Sequence, residues 1–100
     1  MARKVVWSRK AELNLDGILK YWIARNQSNL YSRKLRNLIF HSIDLLARNP
    51  SMGLQTDISD VRRKIILDYE IYYSVEKDEI LILAIWDSRQ DPNKIASELK

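Results

Sequence analysis

The residues best suited to chemistry on a polyanion lie late in the chain. Arg62, Arg63 and Lys64 are consecutive, Glu70 and Tyr72 follow shortly, and Arg89 comes after a long apolar run. An extended strand sends alternate side chains to opposite faces. On that rule Arg62 and Lys64 project from an open sheet face, while Arg63 points inward with Val61, Ile65 and Leu67; a register shifted by one residue would put Arg63 at the surface instead. In the next segment Tyr69, Ile71, Tyr73 and Val75 are expected inward, which leaves Glu70, Tyr72 and Ser74 beside Arg62 and Lys64. Arg89, just past the apolar run, could reach the same surface. Such a set can hold a phosphate backbone and stack a base on a tyrosine. It can also oppose the negative charge that develops in phosphodiester cleavage. The plainer use of the same charges is to guard an edge strand against unwanted pairing.

The elements that position these residues can be read from periodicity. Val61 to Leu67, Tyr69 to Val75 and Ile80 to Trp86 are rich in β-branched and aromatic residues, and polar turns bound them. This pattern predicts three antiparallel strands in a meander. The 80–86 segment is apolar on both faces and so should be central. Lys4 to Trp7 is a short strand signal that should pair with it, leaving Val61–Leu67 at the opposite edge. Ser8 is a good N-cap. Ala11, Leu15, Ile18 and Trp22, widened by Leu19 and Ile23, then make a helical stripe. Gly17 interrupts this stripe, and close packing against another element would explain it. After Asn26–Gln27, Ser28 offers a second cap. A helix from about Asn29 to Arg48 carries one stripe of Leu35, Leu38, Ile39, Ser42, Leu45 and Leu46, and another of Phe40, Ile43 and Ala47. The short connection makes the two helices an antiparallel hairpin. Asn49–Pro50 stops the second helix, and 51–60 reads as a loop. Pro92 sits near the start of a short last helix bearing Ile95 and Leu99. The predicted fold is α+β, β-α-α-β-β-β-(α), in one domain over residues 1–100: an antiparallel meander with an added N-terminal strand, packed against a helical hairpin.

Composition excludes several functions. There is no cysteine, and the sequence has no Cys/His cluster, HExxH, glycine-rich phosphate loop or nucleophile elbow, so no metal or cofactor is expected. His41 falls on the polar side of its helix with Lys34, Asn37 and Arg48, and carries no assigned role. No apolar run nears the ~20 residues of a membrane span, nor does the N-terminus hold the apolar core of a signal peptide. A soluble cytoplasmic protein is expected. The balance of 17 Lys and Arg against 13 Asp and Glu gives +4 and a pI near 9.5, which favours polyanions or an acidic partner.

Taken in order, these motifs resemble the RelE/ParE superfamily of toxins from bacterial type II toxin–antitoxin systems. Trp7-Ser8 with Ala11 is similar to the family's opening, and Leu45-Leu46, Pro50 and Gly53 to its helix-end spacing. Val61-Arg62-Arg63-Lys64-Ile65, Tyr69 and Ile71-Tyr72-Tyr73 resemble its central strands. Ile85 to Pro92 is similar to the ending of members known as plasmid stabilisation proteins. The resemblance implies a toxin neutralised by a cognate antitoxin, which wraps over the sheet and groove and through which alone the pair reaches operator DNA. RelE-like members enter the ribosome and cleave mRNA; ParE-like members inhibit DNA gyrase without being enzymes. As a metal-independent mRNA interferase the chain would use Arg62, Lys64, Arg89 and Glu70 in catalysis, Glu70 as the base for a ribose 2′-hydroxyl, with Arg63 and Tyr72 binding RNA. Glu70 stands where RNA-cleaving relatives usually place an arginine, and no tyrosine follows Arg89.

Overall fold

The computed structural model describes residues 2–89. It forms a five-stranded sheet with a helical hairpin on one face. In chain order the elements are β1 (Lys4–Trp7), α1 (Arg9–Asn26), α2 (Leu30–Arg48), a 3-10 turn at Pro50–Met52, β2 (Leu54–Gln55), β3 (Val61–Ile66), β4 (Tyr69–Val75) and β5 (Glu79–Asp87). The sheet order is β1-β5-β4-β3-β2. As the pattern predicts, β5 is an interior strand, between β1 and β4, and β3, β4 and β5 form an antiparallel meander. β1 joins β5 in parallel, Val5 opposite Ile80 and Trp7 opposite Ile82. The last helix predicted after Pro92 lies outside the described residues.

β3 is not the edge strand that periodicity suggests. The expected loop contains β2, whose Leu54 and Gln55 pair with Arg63 and Arg62. Two residues are too short to show a period, so sequence pattern cannot find such a strand.

The core lies between the hairpin and the sheet. Leu35, Ile39, Ile43 and Leu46 of α2 meet Ile71, Tyr73, Ile80, Ile82 and Ile85, with Ala11, Leu15, Ile18 and Trp22 of α1 alongside. Ser32 Oγ donates to the Leu19 carbonyl at 3.0 Å and locks the two helices together. Leu38, Phe40 and Leu45, expected in the stripes, remain over a third exposed at their edges. Gly17 does not serve close packing, because a Cβ built on it meets nothing within 4 Å.

β1 is shorter than β5, so α1 takes over where it ends. The register slips between Tyr72 and Tyr73, which pair with Ala84 and Ile82 and leave Leu83 as the extra residue. Such a bulge leaves backbone groups outside the ladder, and they need partners. Ser8, which caps α1 by accepting from the Ala11 N–H at 3.0 Å, donates through the same hydroxyl to the Leu83 carbonyl at 2.9 Å. Six residues on, Asn14 Oδ1 accepts from the Ile85 N–H at 3.1 Å.

At the other margin Tyr73 secures the turn after α2. Its buried hydroxyl donates to the Pro50 carbonyl at 2.8 Å and accepts from the Gly53 N–H at 3.0 Å. A Cβ on Gly53 would collide with Tyr73 Oη and lie 2.8 Å from the Arg63 carbonyl. Gly53→Ala is therefore expected to lower stability by about 3 kcal/mol through overpacking and loss of these bonds, as measured by urea unfolding. Gln27 ends α1 in the left-handed region at φ 53°. Gln27→Gly removes that strain and should raise stability by about 1 kcal/mol in the same assay.

Candidate functional site

The β3–β4 connection decides where each cation points. Ile66 pairs with Tyr69, so Leu67 and Asp68 alone make the turn, with Leu67 at φ 54°. Tyr69 belongs to the helix side, where its hydroxyl accepts from Trp22 Nε1 at 2.7 Å. Cross-strand partners share a face. Ile66, Lys64 and Arg62 therefore lie on the helix side, opposite Tyr69, Ile71 and Tyr73. Val61, Arg63 and Ile65 lie on the open side, opposite Ser74, Tyr72 and Glu70.

This reverses the phase expected for β3. Ile65-Ile66-Leu67 is apolar in either phase, so its composition does not determine which residue goes inward. The structure buries Ile66 and leaves Ile65 and Leu67 at 50% and 60% exposure. The phase expected for β4 agrees with the structure: Tyr69, Ile71 and Tyr73 are in the helix-side core.

The sequence-predicted residues are consequently divided among three places. Arg62, on the helix side, donates from Nη1 to the Gly53 carbonyl at 2.8 Å. It thus holds the loop that Tyr73 holds by the N–H. Lys64 shares that side, half-buried and without an ion-pair partner among the described residues.

On the open face, Arg63, Glu70 and Tyr72 form one cluster. Arg63 Nη1 lies 3.1 Å from Glu70 Oε1, and the Tyr72 hydroxyl donates to Glu70 Oε2 at 2.5 Å. The face is not open to stacking at Tyr72, whose ring is 5% exposed. Val61 and Ala84 pack with it, covered further by Ile58, Leu83 and Trp86. Trp86 stands opposite Glu70, and its buried indole N–H finds no partner among the described residues. Burial, then the Glu70 carboxylate, push the Tyr72 hydroxyl up to about 12, with Arg63 pulling the other way. The cluster carries one full ion pair and one neutral phenol, so its net charge is zero.

Arg89 does not join that cluster. It turns back on Asp87, with Nη2 2.6 Å from Oδ2 and Nε 2.9 Å from Oδ1. The fork holds the Asp87 carboxyl below its ordinary range and keeps the guanidinium firmly protonated. This pair lines a cleft of about 530 Å³ beside α1, with Asn14, Gly17, Tyr21, Tyr69 and Trp86. Sequence reasoning did not find this cleft. Its one signal was Gly17, a helix interruption that leaves open space where any other side chain would stand. No metal-binding cluster of acidic and histidine residues occurs among the described residues.

The fold is thus a helical hairpin backing a small meander, with an arginine–carboxylate–phenol cluster on the open face and a cleft beside the first helix. The profile of the ParE toxin of the type II toxin–antitoxin system ParDE matches residues 5–92. The chain belongs to that family, within the RelE/ParE superfamily. Among solved structures, it superposes on a chain of the chromosomal ParDE system from P. aeruginosa with a TM-score of 0.74 at 21% identity, covering 86% of this chain and 96% of that one. A chain of the RelBE2 toxin–antitoxin complex from Mycobacterium tuberculosis gives 0.63 at 16% identity, covering 87% and 99%. At such identities these likenesses show a shared fold. No curated protein matches the chain.

The raised Tyr72 value has a checkable consequence. A phenol whose folded value lies above the unfolded 10.0 stabilises the fold fully below that pH, and the contribution is lost as pH rises toward about 12. Tyr69 and Tyr73 are also raised by burial and add to the same alkaline loss. Tyr72→Phe should make that loss shallower, and Glu70→Gln should bring the Tyr72 titration to lower pH. Ultraviolet titration of the phenolate, with unfolding curves across the alkaline range, reads both.

Proposed function

We propose that this chain is the toxin of a type II toxin–antitoxin module and acts by binding, with DNA gyrase as its target and no cleavage step. One observation supports this most: the arginines that a nuclease would aim at a scissile phosphate are already engaged. Arg62 is bonded to the Gly53 carbonyl, Arg63 to Glu70 and Arg89 to Asp87. Catalysis of phosphodiester cleavage needs donors preorganised toward charge that develops in the transition state. Donors committed to carbonyl and carboxylate partners must first be released. Family membership in the ParE branch agrees with this reading.

A cognate antitoxin is the expected neutralising partner, as in the two toxin–antitoxin systems of similar fold. The cleft beside α1 offers it a seat, because Gly17 leaves room there that the chain itself does not fill. The module would act in the cytoplasm. Among the described residues no helix is long and apolar enough to cross a membrane.

A ribosome-dependent mRNA endonuclease is the second reading. It is favoured by the Glu70 carboxylate, which lies on one surface with a guanidinium and a phenol. Two experiments separate the readings. Excess purified chain should abolish supercoiling by purified gyrase, and unimpaired supercoiling would remove the first reading. Primer extension after controlled expression should show intact messages in arrested cells, and discrete codon-linked breaks would establish the second.

A further inference from the structure

The basic character of this chain does not come from its sheet. Residues 17–43 contain Lys20, Arg25, Arg33, Lys34 and Arg36 and not one Asp or Glu. The other residues hold 12 cations against 13 carboxylates, so the net +4 arises wholly in this segment. Structurally the segment is the latter part of α1, the connection, and the first part of α2. Arg25, Arg33, Lys34 and Arg36 are all exposed. Among the described residues none has a carboxylate partner, whereas Lys20 is tied to Asp16 at 2.8 Å.

Their placement also opposes the local field. The opening turns of α2 carry Arg33, Lys34 and Arg36, and its first turn has no acidic residue, although the partial positive charge of a helix N-terminus favours anions there. Arg36 is fixed 4.5 Å over the Phe40 ring. Asn37 and His41 continue the exposed stripe of Arg33 and Lys34 along α2. Because Ser32 bonds to Leu19 across the two helices, the cations of both are held on one rigid end.

We propose that this end of the helical hairpin is a docking surface for the phosphates of duplex DNA. Like charges gathered without partners on a rigid surface match a polyanion with regularly spaced charge, and binding releases its counterions. A helix about 10–12 Å across fits a major groove about 12 Å wide, whereas the major groove of duplex RNA is deep and narrow. Single strands are gripped by exposed aromatic platforms. Here Phe40 lies under Arg36, Trp22 and Tyr31 pack edge-on against each other, and Tyr21, the one of these aromatics that is about half exposed, is set edge-on to Trp22. The chain would thus touch DNA directly, beyond any contact made through an antitoxin. The proposal stands independently of gyrase as target.

The test uses the full chain and a labelled duplex of arbitrary sequence, followed by fluorescence anisotropy over a range of salt. Affinity should fall steeply with salt. The variant R33Q/K34Q/R36Q should bind roughly tenfold or more weakly at low salt, and the log–log slope should flatten by about 0.9 for every cation removed from a phosphate. Arg48→Gln, at a residue paired with Asp44 on the same helix, should leave binding unchanged. The triple variant should keep its helical circular dichroism and melt within a few degrees of the parent, since relief of charge opposed to the helix dipole offsets loss of the Arg36–Phe40 contact. An unchanged affinity and slope in the folded triple variant would overturn the proposal. So would binding of poly-glutamate as tight as that of DNA, which would assign the surface to an acidic protein, or tighter binding of duplex RNA. No gyrase enters the assay, so failure of the gyrase reading leaves its outcome untouched.

Discussion

The pairing of Ile66 with Tyr69 is the constraint on which the disposition of charge depends. Tyr69 is fixed to the helix side by Trp22, and a turn of only two residues passes that choice to β3. Every second residue then follows. Arg62 comes beside Tyr73 and can reach the Gly53 carbonyl, while Arg63 comes opposite Tyr72 and can reach Glu70. A shift of one residue would exchange the two arginines and bury Ile65 in place of Ile66. It would also part Arg62 from the loop that Tyr73 holds. The left-handed Leu67, strained for a bulky residue, is the local consequence of keeping this register.

The same dependence explains what could be read from the chain and what could not. Helices, the meander and the interior place of β5 were legible because each rests on a long apolar stripe or run. The phase of β4 was legible too, since Tyr69, Ile71 and Tyr73 alternate with polar partners over a full strand. β3 was not. Its three cations are consecutive and their long stems tolerate either face, and Ile65 and Ile66 run into Leu67 of the turn with no polar residue between them. β2 is too short to leave a pattern, and the bulge at Leu83 hides within a run apolar on both faces. Gly53 appeared as a motif position, but its reason is a tyrosine hydroxyl 20 residues away. Such approaches are set by tertiary packing and leave no local trace.

Glu70 shows how a departure from a family pattern can be resolved by geometry. From sequence it is a carboxylate where an RNA-cleaving relative usually has an arginine. In the structure it is the common acceptor of Arg63 and Tyr72. The Tyr72 ring is buried, and a buried hydroxyl needs a partner, so the carboxylate completes the open-face cluster as well as neutralising its cation. An arginine at this position could not accept from Tyr72, and it would put two guanidiniums together above a buried ring.

Charge that is paired within a fold and charge that is left over have different consequences. A pair such as Arg63–Glu70 fixes shape, and its field at a distance is that of a dipole, which fades quickly. Unpaired cations project a monopole that salt alone screens, over about 10 Å at 0.1 M. On the sheet, arginines are committed to Gly53, Glu70 and Asp87. Of these only Arg63 and Arg89 are neutralised by a carboxylate, whereas Arg62, on a neutral carbonyl, keeps its charge beside Lys64. The hairpin has no acidic residue between Gly17 and Ile43, so the net positive field of the chain originates there. The strand-borne cations, the most conspicuous in the sequence, belong to the part of the chain where carboxylates at least match the cations in number, so the excess positive charge is that of the hairpin.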